Sequence, residues 1–191
     1  MEMIIYLGMN KTGGSFLKKN IFPKMESKVT IKGMLSGNPI RKTSDSDEVF
    51  IREMIAYGIY YKYGRETKII VGFREKDEWL KSCYNQYIKG MSKGYLSFNK
   101  WKDLYFDINL LDYKRYFNLL NKLFDNVFIY DFDALKNNKK ELIEKLCTFC
   151  NCETIEYDDI IVNKRLGRLK LSIFRVINFS SESMKYIIRK I

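Results

Sequence analysis

Histidine is absent from the 191 residues and proline occurs only twice. The first absence removes the usual general base near neutral pH, so any proton transfer falls to carboxylates or lysines. The second, together with 46% hydrophobic and 15% aromatic residues, excludes a disordered or proline-rich chain and describes an ordered globular one. No apolar run approaches the ~20 residues that span a bilayer, and residues 1–7 are too short for a signal core and lack a basic flank. A soluble, cytoplasmic protein with one domain over residues 1–191 is therefore expected. Cysteine is scarce. Cys147, Cys150 and Cys152 form C-x-x-C-x-C, but zinc would need a fourth ligand, and Cys147 and Cys150 fall at i, i+3 near the end of an apolar helix, where small thiols are core. No metal site is expected.

Acidic residues are in deficit. Lys and Arg total 34 against 23 Asp and Glu, a formal charge of +11, which suits a polyanionic ligand. The basic residues are scattered instead of gathered into one run, which argues against a nucleic-acid arm. A non-catalytic polyanion-binding module would account for the charge and would bind with steep salt dependence, but it leaves the motifs below unused.

Apolar runs of strand length alternate with stretches of helical period, the pattern of βα units closing into a parallel sheet. The expected class is α/β, a three-layer α/β/α sandwich with a central, mostly parallel sheet. Strands are predicted at residues 3–7, 29–31, 68–73 and 127–130, and helices at 15–21, from about 45–48 to 63, 77–89, 110–124 and 139–149, with one or two amphipathic helices after 168. Residues 36–47 read as a loop and 90–99 as an exposed loop or lid. The aromatics Tyr95, Phe98, Trp101, Tyr105 and Phe106 read as a satellite core, with a sugar-stacking platform as the alternative.

Between the first strand and the first helix stands Gly8-Met9-Asn10-Lys11-Thr12-Gly13-Gly14-Ser15. Main-chain N–H groups and the positive end of a helix converge there; Gly13 and Gly14 allow close approach, Thr12 and Ser15 offer hydroxyls, and Lys11 an ammonium. That is the chemistry of a phosphate-binding loop resembling a P-loop. It departs from the ATPase form because Gly14 occupies the position of the lysine, which has moved to 11. The alternative of a nucleotide-dependent kinase would place ATP on this loop and magnesium on Asp131 or Asp133, at the end of a late strand.

Lys11-Thr12-Gly13-Gly14-Ser15 resembles the 5'-phosphosulfate loop P-K-[TS]-G-[TG]-[TS] of the sulfotransferases that use 3'-phosphoadenosine-5'-phosphosulfate (PAPS), with Asn10 in place of the proline. A second family signature, a strand ending in Arg with Ser eight positions on, is matched by Arg74 and Ser82. Alone, Arg74 would read as an ion pair with Glu75 or Asp77 and Ser82 as a solvent-facing helical serine. The stretch 127–136 and the helix after it are similar to the family's late structural region, and residues 162–168 stand where members carry a basic loop that closes over the cofactor.

The resemblance implies a sulfotransferase with PAPS as cofactor, transferring a sulfuryl group to a hydroxyl or amine acceptor, a glycan or small metabolite, without nucleic acid or metal. It implies Lys11, Thr12, Gly13, Gly14 and Ser15 around the phosphosulfate, Arg74 and Ser82 on the 3'-phosphate, and Arg165 and Arg168 as further cofactor contacts. Lys11 is the candidate for stabilising developing charge. In a chain without histidine, Glu48 is the candidate base, at a loop–helix junction after the second strand.

Overall fold

Strand Ile4–Tyr6 (β1) is apolar throughout because both of its faces are covered, and the same holds for Lys68–Phe73 (β3) over most of its length. With Val29–Ile31 (β2) and Val127–Asp131 (β4) they form a parallel sheet in the order β2-β1-β3-β4. Register runs Ile4 to Val29 on one side and Ile4 to Lys68 on the other, and from Ile69–Val127 to Phe73–Asp131 across the next pair. The computed structural model describes residues 3–8, 11–25, 29–31, 48–90, 94–105, 112–158 and 166–188, and for 29–31, 48–51, 90, 168 and 181–188 the backbone alone.

Alternate residues of the strands feed two cores. Ile4, Tyr6, Ile70 and Tyr130 point to one face, where they meet the helical segment after β1, Leu135 of Phe132–Asn137 (α6) and Leu142, Ile143 and Leu146 of Lys139–Phe149 (α7). Ile5, Leu7, Ile69 and Val71 point to the other, against Ala56 and Ile59 of Glu48–Tyr63 (α2) and Tyr116, Leu120 and Leu123 of Tyr113–Leu123 (α5). The result is the three-layer α/β/α arrangement expected. Cys147 and Cys150 are buried in the first core, as expected of core thiols.

The segment after β1 differs from a plain α-helix. One α-turn, Gly14–Phe16 (α1), continues as a π-helical stretch, Leu17–Ile21, and a 3-10 turn, Phe22–Lys24. Pro23 has no N–H to extend an i→i−4 ladder, and the chain ends its helical course there. Two short helices escape a periodicity argument because they hold too few turns to show one: α6, started by Asp131, whose carboxylate accepts from Asp133 N at 3.0 Å, and Phe98–Tyr105 (α4), where Ser97 Oγ accepts from Lys100 N at 3.4 Å.

Contacts divide the chain into two compact units, one holding the sheet with α1, α2, α5, α6 and α7, the other holding Lys76–Gly90 (α3), α4 and Arg168–Ile188 (α8). Within the second, Trp101 of α4 is fully buried among Tyr84, Tyr87 and Phe98, at ring distances of 5.3, 5.8 and 6.1 Å, as a satellite core requires. The predicted lid is in part closed instead of exposed: Gly94 is buried, and a Cβ there would lie 2.9 Å from Ile88 Cα, so the absence of a side chain is what lets the chain pack on α3.

Candidate functional site

Because β1, β3 and β4 are parallel, whatever follows each of them emerges at one edge of the sheet. After β1 this is the loop ending in Lys11–Gly14, after β3 it is Arg74, and after β4 it is Phe132. Lys11 adopts φ 67° and Gly13 φ 85°. A left-handed lysine is uncommon, and such outliers persist where the surroundings impose them. Here the next residue supplies the reason. Thr12 is fully buried, its carbonyl accepts from Tyr130 Oη at 3.0 Å, and its hydroxyl is hydrogen bonded to the phenols of Tyr6 and Tyr130. The two phenols are themselves 3.1 Å apart. Thr12 is thus pinned inward, and Lys11 and Gly13 turn around it.

Glycines make room for this tyrosine pair. A Cβ on Gly14 would come 2.7 Å from Tyr6 Oη, and one on Gly8 would collide with the same phenol. Gly72, in register with Tyr130 on the neighbouring strand, lies under that ring, and a Cβ there would collide with it. Burial raises the pKa of Tyr6 above the ordinary phenol range, while its bonds to Tyr130 and Thr12 oppose the rise; burial, followed by the neighbouring Tyr6, raises that of Tyr130 well above it. Both remain neutral hydrogen-bonding groups beneath the loop.

Arg74 joins the loop through Phe132. Its guanidinium lies 4.3 Å from the Phe132 ring centroid, and Cδ2 of that ring is 3.5 Å from where a Cβ on Gly13 would stand. The helical turn begins at once: Phe16 N and Leu17 N donate to Gly13 O at 2.9 and 3.2 Å, and Ser15, half-buried, occupies the first turn. Lysine, arginine, serine and a helix start therefore share one edge of the sheet. That donor set fits an anionic phosphate or phosphosulfate group, since every charged member is cationic.

A solved structure described as a sulfotransferase from Alicyclobacillus acidocaldarius superposes on the chain with a TM-score of 0.53 at 13% identity, over 95% of this chain and 94% of that one. The fold matches a sulfotransferase. No protein-family model and no curated protein matches the sequence.

Ser82 is half-buried on α3. Glu48 opens α2 and Arg168 opens α8, both described by backbone alone, while Asn10, Arg165 and the loop 36–47 lie outside the described residues. Asp131, one of the two residues that a kinase would use for magnesium, spends a carboxylate oxygen on the α6 cap by accepting from the N–H of the other, Asp133. No described helix is long and apolar enough to cross a membrane. A cavity of about 510 Å³, lined by Lys24, Lys140, Ile143, Glu144 and residues 154–158, contains none of the predicted site residues. The Tyr6–Tyr130 pair is the feature that sequence reasoning missed; the available signal was a tyrosine in each of two apolar strand runs, the first of them two residues before Gly8.

Proposed function

We propose that the protein is a cytoplasmic sulfotransferase that uses PAPS and transfers its sulfuryl group to a hydroxyl or amine of a carbohydrate or small-molecule acceptor. The observation that carries this reading is the meeting of Lys11–Ser15 with Arg74 across the Phe132 ring, at the carboxyl edge of a parallel sheet. Two cationic motifs that are more than sixty residues apart in sequence stand together at that edge, which supports a bisphosphorylated nucleotide as the ligand.

When bound, PAPS supplies an activated sulfuryl group and leaves as adenosine 3',5'-bisphosphate. The loop's main-chain N–H groups and Ser15 orient the anionic end, with Thr12 contributing through its backbone because its hydroxyl is held by the tyrosines. Lys11 neutralises charge developing on the departing oxygen, and Arg74 with Ser82 holds the 3'-phosphate; Arg165 and Arg168 add contacts from their own segment. Glu48 takes the proton of the acceptor.

Calorimetric titration with adenosine 3',5'-bisphosphate tests the cofactor. Wild type is expected to bind, and Lys11→Ala and Arg74→Ala each to weaken binding on the order of tenfold or more, as loss of a charge-assisted contact does. Absence of binding beside clear affinity for ATP with magnesium would overturn the proposal. For the base, Glu48→Gln is expected to leave bisphosphate binding intact and lower turnover by ~10²-fold or more; unchanged turnover removes Glu48 from the mechanism.

A further inference from the structure

Helix α8 is oriented against the usual rule. A surface helix hides its apolar stripe and shows its polar one, but α8 is tied to its own unit by polar groups: Asn178 Nδ2 donates to Ile88 O at 3.1 Å and to Gly94 O at 3.2 Å, and Arg175 Nε donates to Tyr95 O at 3.4 Å. Phe179, 58% exposed, still sets its ring 5.7 Å from that of Tyr95, but the other large apolar side chains are left in solvent, with Leu169 75%, Val176 66%, Ile177 57%, Ile173 49% and Phe174 39% exposed. Leu169, Ile173, Val176 and Ile177 fall at i, i+4, i+7 and i+8, one continuous arc centred away from Asn178. Scattered apolar residues need no explanation, but a continuous arc of this kind marks a surface that something covers.

Charge selects the occupant. Helix α8 carries Arg168, Lys170, Arg175 and Lys185 against one acid, Glu182, in a chain of net charge +11. A second copy of the helix would set basic residues against basic residues with almost no carboxylate to pair them, whereas lipid phosphates and carboxylates neutralise them while the acyl region takes the apolar arc. We infer that α8 is an interfacial helix by which the protein docks on an anionic bilayer surface, lying in the headgroup plane with its Leu169–Ile173–Val176–Ile177 arc inserted.

Co-sedimentation of the whole chain with phosphatidylcholine vesicles, made with and without phosphatidylserine, tests this. Wild type is expected to pellet with the anionic vesicles, to lose that binding as salt is raised, and to stay in solution with the neutral ones. Leu169→Ser, Val176→Ser and Ile177→Ser combined should weaken binding on the order of tenfold or more at unchanged melting temperature, since these side chains are exposed in the free protein. Should the triple variant fail to fold, Lys170→Glu alone must still weaken binding to anionic vesicles. Wild type that ignores anionic vesicles, binds neutral ones equally well, or binds undiminished in the triple variant overturns the inference. So does a lipid-free dimer, seen by analytical ultracentrifugation, that the serine substitutions dissociate; this would give the arc to a second copy.

Discussion

Thr12 shows how a loop residue acquires its conformation from residues far away in sequence. Its carbonyl accepts from Tyr130, 118 positions later, and Tyr130 in turn meets Tyr6, so the bend at Lys11 and Gly13 is stabilised from beneath by neutral phenols. Tyr130→Phe keeps the ring against Gly72 but removes the donor to Thr12 O. It is expected to cost about 1–3 kcal/mol, because a buried acceptor loses its partner, and to weaken adenosine 3',5'-bisphosphate binding through a loosened loop; denaturant unfolding and calorimetry measure the two effects separately. A fall in stability with unchanged nucleotide affinity would confine the tyrosine pair to a structural role. Nothing local in Val127–Asp131 announces this task, since a tyrosine in an apolar strand has the same sequence pattern whether or not it supports a loop.

At the scale of elements, the strands and the multi-turn helices were legible and the short helices were not. The strands at 29–31 and 68–73 and the helix at 139–149 stand at their predicted bounds; for 68–73 the reason is that a strand covered on both faces is apolar over most of its length, and for 139–149 that a three-turn helix shows its period. Helix α4 overlaps the predicted loop 90–99 only at its first two residues and was given no element over the rest, yet it carries Trp101, fully buried against Tyr84, Tyr87 and Phe98. Trp101→Ala is expected to cost about 3–5 kcal/mol, read as a shift of the denaturation midpoint; a change below about 1 kcal/mol would mean that the aromatic cluster does not hold α4 to α3, and would return these rings to the sugar-platform alternative.

For the molecule as a whole, burial of phenols links stability to alkaline pH. Burial pushes the Tyr116 pKa up to about 12, opposed by the nearby Arg52 charge, and raises those of Tyr6 and Tyr130 as well. Unfolded tyrosine titrates near pH ~10, so below that value both states are protonated and the stabilisation is complete. Above it the unfolded chain loses protons that the native state retains, and stability falls as pH rises from ~10 through about 12 for Tyr116. Urea midpoints across this range should decline, and Tyr116→Phe should flatten the decline; a flat wild-type profile would contradict the burial of these groups. The sequence alone determined the α/β class, the places of the strands and the cationic loop with its glycines, because each is written in neighbouring residues through apolar runs, turn residues and spacing. Only the tertiary structure decided the strand order, the meeting of Arg74 with the loop over Phe132, the tyrosine pair under Thr12 and the outward apolar arc of α8. Each of these depends on which distant segments pack together, and local pattern does not encode that choice.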